Sequence, residues 1–288
     1  MIKMQQPKKS KLTIYLCTHK PFRVPLYIES RSERYSIITN SHEPFPPTKL
    51  PIVRINNKRY ECAYGEEKQI CLNEWRYLDC ISRNERLLND YIGINHYRRY
   101  FDPAMIDRLD LDLIFNDLKV PIILGKPVMF KDRRIGDHDN ESWFGYWHSY
   151  SCWLEFEKYF KEIYPGLKKE FDEMAHADFL HNSAMCILPR DLFIDMCEFV
   201  LNTFDQLEDK FGIHNEEEAL AYVDKYINEF VRDFRPYYSR EISARVMGFL
   251  IERITGVWLR IKRENGKSLL EQAMEIDWFM PKEEDIKV

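Results

Sequence analysis

Asp-Tyr-Ile-Gly-Ile-Asn-His-Tyr-Arg-Arg-Tyr-Phe-Asp, residues 90 to 102, is the stretch on which the fold turns. Tyr91 to Ile94 is uncharged and mostly β-branched or aromatic, which suits a strand buried on both faces of a parallel sheet. Directly beyond it stand His96, Arg98 and Arg99, interleaved with Tyr97, Tyr100 and Phe101. Open α/β sheets bind ligands in the crevice outside the carboxyl ends of their strands. Two guanidiniums and an imidazole at that point therefore read as a recognition device for an anion, here a phosphate. The competing reading leaves the arginines on a solvated surface or paired with Asp102 or Asp107.

Working outward, Leu12 to Cys17 is a first strand that breaks into Thr18-His19-Lys20-Pro21-Phe22. Proline fixes that turn, and Thr18, His19 and Lys20 fall where the first βα loop of a nucleotide-binding sheet offers donors. No glycine-rich phosphate loop is present. Tyr35 to Thr39 and Ile52 to Ile55 read as further strands, separated by a proline-rich loop. Glu66 to Leu88 has helical spacing, with Leu72, Trp75, Leu78 and Ile81 on one stripe and Glu74 beside it. Met105 to Leu118 reads as a charged helix and Val120 to Leu124 as a strand, followed by a long loop from Gly125 to Ser142. Trp143 to Tyr164 is helical after an aromatic cluster around His148. Asp178, His181 and Asn182 precede a strand at Ala184 to Leu188, and Asp191 is expected to cap a helix continuing through Leu207. An acidic helix spans 216 to 230, and a last strong helix runs from Glu241 to Lys262, with Arg245 and Glu252 seven apart on a side different from the apolar one.

The 288 residues suffice for a large core. A net charge of −5 argues against a general nucleic-acid binder, which needs a basic footprint over the whole domain. The seven cysteines are scattered without a CxxC pair, which indicates reduced thiols and neither a disulfide framework nor a zinc site. No apolar core precedes the first strand as in a signal peptide, and no uncharged run approaches membrane-spanning length. A cytoplasmic protein is expected.

Thr-His-Lys-Pro-Phe at 18 to 22, the central stretch at 90 to 101 and Arg-Val-Met-Gly-Phe-Leu-Ile-Glu-Arg at 245 to 253 occur in that order. With His148 and the His-Asn-Ser-Ala-Met run from 181, they resemble the DUF4422 family of bacterial glycosyltransferases of capsule, exopolysaccharide and O-antigen synthesis. The resemblance covers roughly residues 12 to 262. It implies an α/β, GT-A-like nucleotide-binding sheet flanked by helices, with a helical C-terminal part. The expected organisation is a flexible N-terminus at 1–11, a single domain at 12–264 that is helix-rich from about 190, and a tail at 265–288, part of it mobile.

The resemblance further implies that His19 and Lys20 lie near the nucleotide, and that His96, Arg98 and Arg99 occupy the place where many GT-A enzymes keep an Asp-x-Asp metal motif. Asn182, Arg245 and Glu252 match recurring polar positions, and Glu74 matches a glutamate of the family's helix before the central strand. One departure stands out: Tyr64 to Gln69 replaces the usual Gly-Asp-Asn-Ile-Ser segment. The implied partners are a nucleotide-diphosphate sugar donor, with galactofuranose or another hexose, and a glycan or lipid-linked glycan acceptor at the inner membrane face.

Transfer from such a donor needs the leaving diphosphate neutralised and an acceptor hydroxyl deprotonated. Cations here predict metal-independent transfer, with Arg98 and Arg99 assisted by Lys20 on the leaving group and Asp178 or Glu74 as base. His148 and His181 orient substrate or are core histidines. The alternative for metal, manganese or magnesium, is Asp137-His-Asp139 in the long loop; Asp110-Leu-Asp112 reads as a solvated face. Trp258 to Lys262 is either a peripheral membrane contact or core packing. Two other functions fit the same anion pocket: an inactive nucleotide- or sugar-binding subunit, and a phosphate-group transferase.

Overall fold

The computed structural model describes residues 11–132, 136–137, 139–181, 185–230, 239–282 and 286. Its central sheet is built from Leu12–Thr18 (β1), Tyr35–Thr39 (β2), Ile52–Arg54 (β3), Tyr91–His96 (β4), Ile123–Gly125 (β5), Cys186–Pro189 (β6) and Met274–Ile276 (β7). Their order across the sheet is β7-β5-β6-β4-β1-β2-β3. Every strand runs parallel to its neighbours except β6, which is antiparallel to both β4 and β5. Period-two alternation explains why both faces are buried. Ile14 and Leu16 of β1 join one core with Tyr91, Ile123, Ile187 and Ile276, while Tyr15 and Cys17 join the opposite core with Ile92, Ile94, Leu124 and Leu188.

β1 and β4 are the best-matched pair, in register from Leu12 opposite Tyr91 to Cys17 opposite His96. Gly93 sits across from Ile14, where a Cβ would come within 2.8 Å of Ile14 Cγ1, so the strands approach through the missing side chain. The carboxyl ends of both strands consequently open on the same rim of the sheet.

Helices cover the face that carries Tyr15 and Ile94. The predicted helix from Glu66 to Leu88 is in fact broken into a 3-10 turn at 66–68, Gln69–Leu72 (α1), Trp75–Arg83 (α2) and a second 3-10 turn at 85–87. The break falls at Asn73, whose φ of 51° and ψ of −124° no helix accommodates. Likewise the run from Trp143 divides into Asn140–Trp147 (α3) and Tyr150–Ile163 (α4), because Ser149 restarts the helix by accepting from Cys152 N. Lys168–Ala175 (α5), Arg190–Phe211 (α6), Glu216–Lys225 (α7) and Val246–Ile261 (α8) complete this layer. The apolar positions read from α6, namely Phe193, Met196, Val200, Phe204 and Leu207, are all buried. Its N-cap is Pro189, so Asp191 stands in the first turn and does not cap.

The predicted helix over 105–118 shortens to Pro103–Arg108, followed by a wide π turn at 113–117. The segment after Asn265 is more than a tail. β7 is hydrogen-bonded along β5, and Trp278–Phe279 pairs with Tyr100–Phe101. Ile276 is fully buried, with Met274, Trp278 and Phe279 packed against the same core, and these apolar side chains draw the segment in. Among the described residues no helix is long and apolar enough to cross a membrane. Trp258 is buried with its indole donating to Asp195 Oδ2 at 2.8 Å, so packing against α6 accounts for the apolar run at 258–262.

Candidate active site

A cavity of about 520 Å³ lies off the carboxyl ends of β1 and β4, where α1, α7 and the start of α8 converge. His19 comes from the loop after β1, Gln69 and Asn73 from the broken helix, Glu216 and Glu217 from the first turn of α7, and Arg245 from the residue that precedes α8. Glu66 and Glu67 close the rim.

Beside the cavity, His96 at the end of β4 reaches Glu74 with Nε2 to Oε1 at 2.8 Å. The other ring nitrogen, Nδ1, accepts from the Arg98 backbone N–H at 3.1 Å, so both imidazole nitrogens are engaged and the ring is fixed. Burial alone would raise the Glu74 carboxyl. The hydrogen bond from His96, then the charges of His96 and Arg245, outweigh it and bring the group down to about 2. Glu74 is thus an ionised, mostly buried carboxylate paired with His96 at Oε1. His19 moves the other way: partial burial first, then the charge of Arg245, lower its pKa and favour the neutral ring, against a smaller opposing pull from Glu74.

Tyr97 links this cavity to a cationic patch. Lys20 Nζ lies 5.9 Å from its ring centroid and Arg98 Cζ 5.0 Å, while the His19 ring meets it edge-on at 5.9 Å. Cations from two separate loops are therefore gathered at one aromatic ring. Arg98 is exposed, and its side chain contacts Tyr97, with no acidic partner among the described residues. Arg99 is half-buried, with its N–H bonded to the His96 carbonyl. Neither arginine lines the cavity itself. Thr18 does not face it either; its hydroxyl closes the turn by donating to Lys20 O at 2.6 Å and accepting from Lys20 N.

Segment 64–69, which departs from the expected motif, is tightly held. Lys68 Nζ bonds both oxygens of the buried Glu208 at 2.6 and 2.7 Å, Tyr64 donates to Asp205 at 2.9 Å, and the buried Arg76 donates to Tyr64 O and Gln69 Oε1. The acidic wall of the cavity is accordingly fastened to α6 and α2.

Other predicted residues lie elsewhere. Asp178 is exposed ahead of the short Phe179–Leu180 strand, outside the cavity lining. His148 is buried and stacked on Phe249 at 4.2 Å. His181 is largely buried against Phe179, with Nε2 paired to Glu275 of β7 at 2.9 Å, and burial lowers its pKa despite that partner. Glu252 is on α8 beside Arg253, at 3.3 Å. Asn182 and the side chain of Asp137 lie outside the described residues. Asp139 caps α3, taking Ser142 N at 2.9 Å and pairing with His176 at 3.0 Å. Among the described residues no three His, Cys, Asp or Glu side chains gather as a metal site. Sequence reasoning missed Asn73, Gln69 and the α7 glutamates; the last carry a sequence signal only as a helix N-terminus, marked by Asn215, which accepts from Glu218 N.

Residues 81–235, 155 of the chain's 288, match the family described as "Domain of unknown function (DUF4422)". No curated protein matches the sequence. Among solved structures, the apo structure of the WbbM bifunctional glycosyltransferase superimposes with a TM-score of 0.61 at 16% identity, over 94% of this chain and 45% of that one. The chain spans less than half the length of that protein, and what the two share is the fold.

Proposed function

The chain belongs to the DUF4422 family, and from that membership we propose that it is a glycosyltransferase moving a hexosyl group from a nucleotide-diphosphate sugar to a glycan acceptor. The observation that carries this reading is the polarised cleft at the ends of β1 and β4. Lys20 and Arg98 meet at Tyr97 beside the cavity, and His19, which touches the same ring, lines it with Arg245, the ionised Glu74 standing next to them.

In this reading the leaving diphosphate rests on Lys20, Arg98 and Arg99, whose fixed charges offset the negative charge that develops as the glycosidic bond breaks. The sugar lies toward His19 and Arg245, where the rim glutamates accept hydroxyl hydrogen bonds and repel the phosphates from the wrong end of the cleft. Glu74, paired with His96 at Oε1, takes the acceptor hydroxyl proton. Asp178 is the second candidate for that role. The transfer needs no divalent ion, because cations occupy the place after the central strand. The acceptor is a lipid-linked glycan of a capsule, exopolysaccharide or O-antigen pathway, and the enzyme works in the cytoplasm at the membrane face.

The experiment is a donor-panel transfer assay. Transfer that survives EDTA and drops on the order of 30- to 1,000-fold in Arg98→Ala is expected, the loss of about 2–4 kcal/mol of transition-state stabilisation. Strict manganese dependence, or full activity in Arg98→Ala, would overturn the mechanism. Nucleotide-diphosphate binding without transfer from any donor would overturn the enzyme assignment.

A further inference from the structure

Asn73 is the most constrained residue at the cavity. It is only 5% exposed and holds a positive φ that L side chains seldom adopt. Gln69 fixes it at both backbone groups: its carbonyl accepts from Asn73 N, and its side-chain Nε2 donates to Asn73 O, each at 3.0 Å. Gln69 is fixed in turn by the buried Arg76. The Asn73 amide crosses to α8, where Oδ1 accepts from Arg245 Nε at 2.7 Å. Its Nδ2 fills the space above Gly248, and a Cβ built there would overlap it. Nothing among the described residues accepts from the two terminal amino groups of Arg245, which borders the cavity.

We propose that Asn73 is the positioning residue of this cleft: it grips Arg245 by Nε so that the two free amino groups of the guanidinium form a fork for an anionic oxygen, with Gly248 leaving room for the grip. A guanidinium held at Nε keeps its planar pair of donors in one orientation, the arrangement suited to bidentate contact with a phosphate or carboxylate. The strained backbone persists at Asn73 because Gln69 and α8 over-determine it. The ligand assigned to the fork, an oxygen of the nucleotide-diphosphate sugar, rests on the function proposed above; the positioning does not.

The test uses the full chain and two readouts. Asn73→Gly removes the amide while tolerating the positive φ, Gly248→Ala displaces the amide from the opposite side, and Arg245→Gln removes the charge. The first readout is the NMR titration of the His19 ring, whose pKa burial lowers first and the charge of Arg245 next, with Lys20 and His96 adding to the depression and Glu74 opposing it. Its midpoint is expected to rise in Arg245→Gln, and to rise in the same direction in Asn73→Gly and Gly248→Ala as Arg245 swings free. An unchanged midpoint in Arg245→Gln, or a rise there that neither other variant reproduces, overturns the positioning. The second readout is calorimetry with uridine diphosphate and, in parallel, guanosine diphosphate. Whichever binds the wild type is expected to lose at least tenfold in affinity in Arg245→Gln and in Asn73→Gly. Unchanged affinity in both overturns the anchor. Should neither nucleotide bind the wild type, the ligand assignment is overturned together with the function it rests on, while the His19 titration still decides the positioning.

Discussion

Glu74 gives the most direct prediction. Its carboxyl titrates near 2 in the fold against an ordinary value of 4.5, because His96 and Arg245 favour the charged form by more than burial opposes it. A depressed carboxylate pKa means that the folded state binds fewer protons than the unfolded one, so the contribution is complete above pH 4.5 and is lost as pH falls toward 2. From those two values the term is worth about 3 kcal/mol at pH 5 and about 1 kcal/mol at pH 3. Glu74→Gln removes the titration while keeping the shape. The stability difference between wild type and variant, read from urea unfolding at both pH values, should therefore shrink by about 2 kcal/mol on going from pH 5 to pH 3. Transfer should collapse in the same variant at neutral pH if Glu74 is the base. A difference that is flat between the two pH values would show that His96 and Arg245 do not depress the Glu74 carboxyl, and would refute the reasoning.

Other outcomes follow from single contacts. Gly93→Ala forces a Cβ against Ile14 at the closest point of β1 and β4, and should cost about 1–3 kcal/mol in chemical denaturation. Lys68→Met removes the close partner of Glu208, whose carboxyl burial already pushes above its ordinary value, and leaves it the 3.8 Å contact with His214. The variant should lose about 3 kcal/mol at pH 7 and less at pH 5, where the raised pKa lets the carboxyl take a proton. Arg260 is buried over Phe179 with no carboxylate bonded to it among the described residues, and burial lowers its pKa to about 10. Arg260→Met should raise stability by about 1–3 kcal/mol in a thermal melt. Asn95 is wholly buried with neither amide atom bonded among the described residues; Asn95→Leu should leave stability unchanged or higher in urea.

The sheet was legible because its strands are buried on both faces, so Tyr91 to Ile94 and Leu12 to Cys17 announce themselves as uninterrupted apolar runs. The site was legible in proportion to how local its signals are. His19, Lys20 and His96 follow strands and could be placed by the rule that ligands sit at strand ends. Glu74 and Arg245 came from resemblance alone, since a glutamate on a helix and an arginine before one are ordinary. Asn73 left no trace, because what holds it, the Gln69 bonds to its backbone and its grip on Arg245 far away in sequence, exists only in the fold. For His148 and His181 the sequence left substrate contact and core packing both open, because a ring name does not reveal that Phe249 or Phe179 lies against it.

β7 arrives from about 150 positions beyond its partner β5. During synthesis Ile123 and Leu124 thus wait with an open edge until residues 274–276 leave the ribosome, whereas β1, β2 and β4 can zip together much earlier. A chain cut at 264 would carry that open edge permanently, and self-association through β5 is the misfolded form to look for in it.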